Sequence, residues 1–215
     1  MKHLKLSILL LFVTFITACS IIKINTTTTV FYTPEFTSTG SIAVIPADIE
    51  NNNSLEFSHY KQKIEDKLRL AGYSIAANSD TAEYIAIVAY GIDDGETSLV
   101  STPIFSSPNA LRGGRLAKSK HRYSMPRYHR RVIGTSTSSI TTYNRALALD
   151  IVEASSLKNG PEDDAKKVYE SRVKSVGECG VVAGVFNELL EAMFTKFPGE
   201  SGQTITAKIP YDGQC

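Results

Sequence analysis

The strongest constraint on the fold is one apolar stripe near the carboxyl end. Val181, Val182, Val185, Phe186, Leu189, Leu190, Met193, Phe194 and Phe197 recur as paired positions every four residues. That spacing gives a helix a broad apolar face, which must be covered by other apolar surface. Pro198 and Gly199 follow at once and stop the helix.

Upstream segments supply what the stripe needs. Ser41 to Pro46 reads as a short buried strand ended by proline. Glu50 to Ser54 is a polar turn. Phe57, Tyr60, Ile64, Leu68 and Ala71 then recur at three and four residues, a second amphipathic helix that Gly72 ends. Tyr73 to Ala76 predicts a short strand. Tyr84 to Ile92 is apolar on both alternations, as in a strand covered on both faces. Arg145 to Glu153 alternates, with Leu147, Leu149 and Ile151 on one side and Ala146, Ala148 and Val152 on the other. Val132 to Thr142 is either its extension or a separate strand. Lys158 to Asp164 is a polar loop. Lys167 to Val176 is a strand with Tyr169 and Val173 inward and Glu170, Arg172 and Lys174 outward. Thr204 to Ile209 closes the series as an edge strand.

The order β-α-β-β, insert, β-β-α-β predicts an α/β (α+β) sandwich: one mixed, mainly antiparallel sheet with two helices packed on one face. At 215 residues and 42% apolar content, one core is the natural expectation. A net charge of +1 excludes a global field that would draw in a charged partner.

The amino terminus carries an address. Lys2 and Lys5 precede an apolar run from Leu6 to Ile16, broken only by Ser7 and Thr14. It is shorter than the ~20 residues that cross a bilayer as a helix and suits a signal peptide. Ile16-Thr17-Ala18-Cys19 resembles the bacterial lipobox. That resemblance implies cleavage before Cys19 and fatty acylation of Cys19, so that the protein hangs from a membrane by lipid. Ser20, not aspartate, follows the cysteine, which in enterobacterial sorting implies the outer membrane, with the domain facing the periplasm. The expected organisation is a signal peptide at 1–18, a flexible threonine-rich tether at 19–39, and one domain at 40–215 with a basic insert at about 97–131.

Of the three cysteines, Cys179 and Cys215 remain after Cys19. In an oxidising compartment two such cysteines either pair or stay as thiols, one at a helix start and one at a terminus. Their surroundings show no metal-ligand spacing, and no cofactor is expected.

Several segments together carry a family likeness. Arg145-Ala146-Leu147-Ala148-Leu149-Asp150-Ile151 is followed by Val168-Tyr169-Glu170-Ser171-Arg172-Val173, Ser175 and Gly177, and then by Met193-Phe194-Thr195-Lys196-Phe197-Pro198-Gly199 with Ser201-Gly202. This series resembles an uncharacterised family of bacterial putative lipoproteins, a domain of unknown function, over roughly Gly40 to Ile209 outside the insert. The resemblance implies an α/β fold like that of periplasmic assembly factors such as the amino-terminal domain of TolB. It also implies a non-enzymatic envelope module that docks other envelope proteins. It brings no catalytic residues.

The insert departs from that core. Arg112, Arg115, Lys118, Lys120, Arg122, Arg127, Arg130 and Arg131 fall in one stretch without an acid, interleaved with Tyr123, Tyr128, His121 and His129. Clustered guanidinium groups fork onto phosphate or carboxylate oxygens, so anionic lipid or lipopolysaccharide is the polyanion expected there. The competing reading is a solvated loop kept soluble by its charge. Nucleic acid is not expected as a partner of a secreted lipoprotein. Asp93-Asp94-Gly95-Glu96 groups oxygens on a turn but lacks the alternating spacing of a calcium loop. No Gly-x-Ser-x-Gly elbow occurs, and Gly199-Glu200-Ser201-Gly202 does not supply one. The expectation is therefore a binding or assembly module and not an enzyme. The alternative is a hydrolase of envelope polymers using residues of the insert and its flanks, with His121 and His129 as the pair whose mutation would test it. The sheet face left without helices, or an edge strand, is where a partner is expected.

Overall fold

The structure is a computed structural model that describes residues 22–105, 132–159, 165–211 and 213–215. Its strands are β1 (Ile22–Tyr32), β2 (Gly40–Pro46), β3 (Tyr73–Ile75), β4 (Tyr84–Ile92), β5 (Glu96–Phe105), β6 (Val132–Glu153), β7 (Lys167–Gly177) and β8 (Thr204–Tyr211). Its helices are α1 (Leu55–Leu70), α2 (Ala154–Asn159) and α3 (Phe186–Phe194). The strands form one eight-stranded sheet in the order β3-β2-β4-β6-β7-β1-β8, with β5 paired to β6 off that path. β2 pairs in parallel with β3 and β4, and the remaining pairs are antiparallel. The sheet is thus mixed and mainly antiparallel, in an α/β fold.

The two long helices form where the spacing predicts them. Ser54 caps α1, its Oγ accepting from the Phe57 amide at 3.3 Å. The helix buries Phe57, Tyr60, Ile64 and Leu68. It is followed by Gly72, whose φ of +110° suits glycine. The α3 helix buries Phe186, Leu189, Leu190 and Met193, each worth roughly 1.5–3 kcal/mol of apolar transfer. Both faces belong to one core with Leu147, Leu149 and Ile151 of β6 and Tyr169 and Val173 of β7. The helices touch: the Tyr60 and Phe186 rings stack 3.7 Å apart, Lys63 donates to Asn187 at 2.7 Å, and Lys67 pairs with Glu191. A smaller cluster of Ile85, Val152 and Ala154 packs with Leu157 of α2. Asp150 of β6 takes Arg172 and Lys167 together, the latter at 3.1 Å. The Asp150 carboxylate raises the pKa of Arg172, and Glu170 followed by Asp150 raises that of Lys167.

Three expectations need correction. The sheet does not begin at Gly40, and 19–39 is not simply a tether: β1 lies inside the sheet, between β7 and β8. Its threonines are β-branched and suit a strand. Ile24, Thr26, Thr28 and Val30 point inward by strict alternation. The buried hydroxyls are satisfied, Thr26 Oγ1 donating to the Ala207 carbonyl at 3.3 Å and Thr28 Oγ1 to that of Ala192 at 3.4 Å. Second, the segment from 97 is not an insert from its start, because Glu96–Phe105 is strand β5. Of the two alternatives for Val132 to Thr142, the structure has the extension: it is continuous with Arg145 to Glu153, so β6 is one strand of 22 residues. Third, the carboxyl-terminal helix is shorter than its stripe. Val182–Gly184 is a separate 3-10 turn, and α3 spans 9 residues.

Candidate interaction surface

The outer half of β6 leaves the sheet and pairs with β5 alone, from Glu96↔Thr142 to Phe105↔Val132. The result is a two-stranded ribbon. Its β5 strand of 10 residues corresponds to a length of roughly 33 Å. Every residue of β5 is exposed, including Leu99, Val100, Ile104 and Phe105, and Val132 and Ile133 are exposed opposite them. Beyond Glu96 neither strand carries a charge as far as Phe105 and from Val132 to Asn144. One face bears a hydroxyl ladder, with Thr97 against Thr141 at 2.8 Å and Ser101 against Thr137 at 3.4 Å. The other bears Val100, Ile104 and Ile140. An isolated two-stranded ribbon is marginal in water, and this one leaves apolar side chains exposed on both of its faces.

The base of the ribbon is a closely packed, hydrogen-bonded socket. Asp93 accepts from the Asn144 side chain at 2.6 Å, the Asn144 amide at 2.9 Å and the Gly95 amide at 3.2 Å. These bonds hold its carboxyl below the ordinary carboxylate range, the Asn144 side chain contributing most. The Tyr143 ring lies between two glycines: a β-carbon at Gly95 would come 2.6 Å from it and one at Gly180 2.8 Å. Gly95 also has a φ of +78°. Arg145, next along the same side of β6, is 1% exposed. Its guanidinium lies so close to Gly177 that a β-carbon there would sit 2.5 Å from Nη2. Burial pushes its pKa down, and nearby Tyr211 and Glu188 push the other way. Among the described residues its Nε and Nη2 have no hydrogen-bond partner.

Cys179 and Cys215 are bonded, with Cα atoms 5.6 Å apart. The bond ties the tail beside Gly184, where a β-carbon would meet Cys179 Sγ at 2.9 Å. Cys19, His121, His129 and the cations from Arg112 to Arg131 lie outside the described residues. By sequence the cations fall between the two strands of the ribbon. Sequence reasoning missed the ribbon and the Arg145 socket. An unbroken uncharged run on each side of the insert was the available signal for the first.

The other candidates hold no converging chemistry among the described residues. Ser201 Oγ accepts from the Tyr32 amide at 3.0 Å and donates to its carbonyl at 3.2 Å, a backbone role. His59 is exposed on α1, with Tyr60 as its ring neighbour. No group of three histidine, cysteine or acidic side chains is placed to hold a metal among the described residues. Asp93 is spent on the ribbon base. A cavity of about 110 Å³ under the end of α3 is lined mainly by apolar atoms of Val30, Met193, Pro198 and Ile205.

No family model and no curated protein matches the chain. The chain is similar to several solved structures, two of which follow. One is a PDZ domain protein from Parabacteroides distasonis, with 14% identity, a TM-score of 0.44, and 87% of this chain and 39% of that one covered. The other is a DUF4136 family protein from Bacteroides thetaiotaomicron, with 14% identity, a TM-score of 0.33, and 82% and 97% covered. The chain spans about two fifths of the length of the first.

Proposed function

We propose that the protein is a lipid-anchored module of the outer membrane that binds another envelope component and carries out no chemistry. In this reading Cys19 holds the lipid and the domain faces the periplasm. The two long helices cover one face of the sheet, in the manner of TolB-like assembly domains, and the ribbon is the docking arm. The observation that carries the proposal is the ribbon itself: exposed apolar residues on an uncharged arm, set in a closely packed socket. Its two strands are joined by the basic stretch from Arg112 to Arg131, which brings cations to anionic lipid or lipopolysaccharide.

The test has two arms. Metabolic labelling with a fatty-acid probe should mark the wild type and not Cys19→Ala, and label on the variant refutes the anchor. Binding of the purified protein to vesicles containing lipopolysaccharide should fall steeply with salt, as released counterions dictate for polyanions. Reversal of Arg127, Arg130 and Arg131 to glutamate should abolish it without changing the melting temperature. Equal binding by both proteins refutes the cationic arm.

A further inference from the structure

Three of the strands that end this sheet carry a device that discourages strand addition. β3 ends the main sheet after 3 residues. β8 carries Lys208 and Pro210. β5 carries Pro103, and a proline in a strand marks the outer one of a pair. The outer half of β6 has no such device. From Val132 to Thr142 it contains no acid, base or proline and is rich in β-branched residues. One side of this stretch pairs with β5 throughout. The other side pairs with β7 only from Tyr143 inward, because β7 ends at Gly177 opposite Tyr143. Among the described residues the slot that continues β7 is open, and its backbone donors and acceptors form a template for one more strand.

We propose that this edge pairs antiparallel with the same edge of a second copy of the chain, about a twofold axis at Thr137, giving a continuous sheet β5-β6-β6-β5. Thr137 is the midpoint of Val132 to Thr142, so this axis lets the whole open stretch pair. The strand is complementary to itself at that register. Ser136 falls opposite Ser138 and Thr135 opposite Ser139, repeating the hydroxyl pairs that already link β5 to β6. Ile140 falls opposite Gly134, as Ile104 of β5 already does, with its Cδ1 3.8 Å from the β-carbon position of that glycine. No charges oppose one another. Pairing of one edge with itself closes at a dimer and leaves the Pro103-bearing strands outermost. The inference goes beyond the docking role and holds whichever envelope component the arm meets.

The experiment uses the full chain purified in mild detergent with its native cysteines. Thr137→Cys should form a disulfide-linked dimer on mild oxidation, because the axis brings the two copies of residue 137 face to face. Ser101→Cys, on β5, should not, since it would lie about 14 Å from its copy, three strand spacings away; the unsubstituted chain is the blank. Thr137→Lys and Thr137→Glu should each weaken dimerisation by about tenfold or more in sedimentation equilibrium, because like charges meet across the axis. An equimolar mixture of the two should recover the dimer. Position 137 is exposed, and unchanged thermal melts for all variants show that folding is intact. A wild type that sediments as a monomer or as species larger than a dimer overturns the proposal. So does a dimer that Thr137→Cys does not cross-link, or a lysine–glutamate mixture no tighter than either variant alone.

Discussion

Gly177 of β7 exists for Arg145 of β6. A β-carbon at 177 would sit 2.5 Å from Nη2, 3.2 Å from Cζ and 3.3 Å from Nη1 of a guanidinium that is itself fully buried. Gly177→Ala should therefore destabilise the fold by about 1–3 kcal/mol, the usual cost of overpacking a filled site. Gly134→Ala, where the nearest atom is 3.8 Å away, should be close to neutral. Urea unfolding of the two variants checks the contrast, and equal midpoints would show that Arg145 can move aside.

The Cys179–Cys215 bond spans a sequence separation of 36. Removing it by a double serine substitution should cost ~3–4 kcal/mol in the chain-entropy account. The loss should appear as faster hydrogen exchange in β8 and the tail, with β4 and β6 less affected. Non-reducing peptide mapping of the wild type should recover the two cysteines on one linked fragment.

The alternation in β1 makes neighbouring threonines unequal. Thr28 is buried with its hydroxyl bonded to the Ala192 carbonyl, whereas Thr27 is exposed. Thr28→Asp should unfold or strongly destabilise the domain, because a carboxylate there has no partner for its charge. Thr27→Asp should change the melting temperature little. Similar melts for both would return Ile22–Tyr32 to the status of a linker.

Asp93 supplies a pH dependence at the ribbon base. Its carboxyl lies below the ordinary range because the ionised form accepts from Asn144 and Gly95. The folded state thus favours the charged form. That contribution is complete above the ordinary carboxylate range and disappears as pH falls through the lowered value. Carbon-detected titration of Asp93 should give a midpoint below that range, and Asn144→Ala should raise it. An unshifted midpoint in the wild type refutes the clasp.

Much of the framework was legible in the chain, for stated physical reasons. Phe57, Tyr60, Ile64 and Leu68 marked α1 because a helix buried on one side cannot avoid that spacing. Tyr169 and Val173 of β7 were placed inward by alternation and lie in the core. The failures have separate causes. Strands built from hydroxyl residues carry no hydropathy alternation, so Thr26 to Thr29 read as a tether and Thr135 to Thr142 left the length of β6 open. Arg145 was invisible as a core residue, since a charged side chain in a strand pattern ordinarily faces water. The stripe from Val181 to Phe197 overstated α3, since Val182–Gly184 is a separate 3-10 turn beside the disulfide.

β6 passes without interruption from the tip of the ribbon into the centre of the sheet, between β4 and β7. Arm and body therefore have no joint between them. The Tyr143 ring, set against Gly95 and Gly180, marks where the arm meets the body. The same backbone that carries the tip carries the ladders to β4 and β7, so tip and core share one strand.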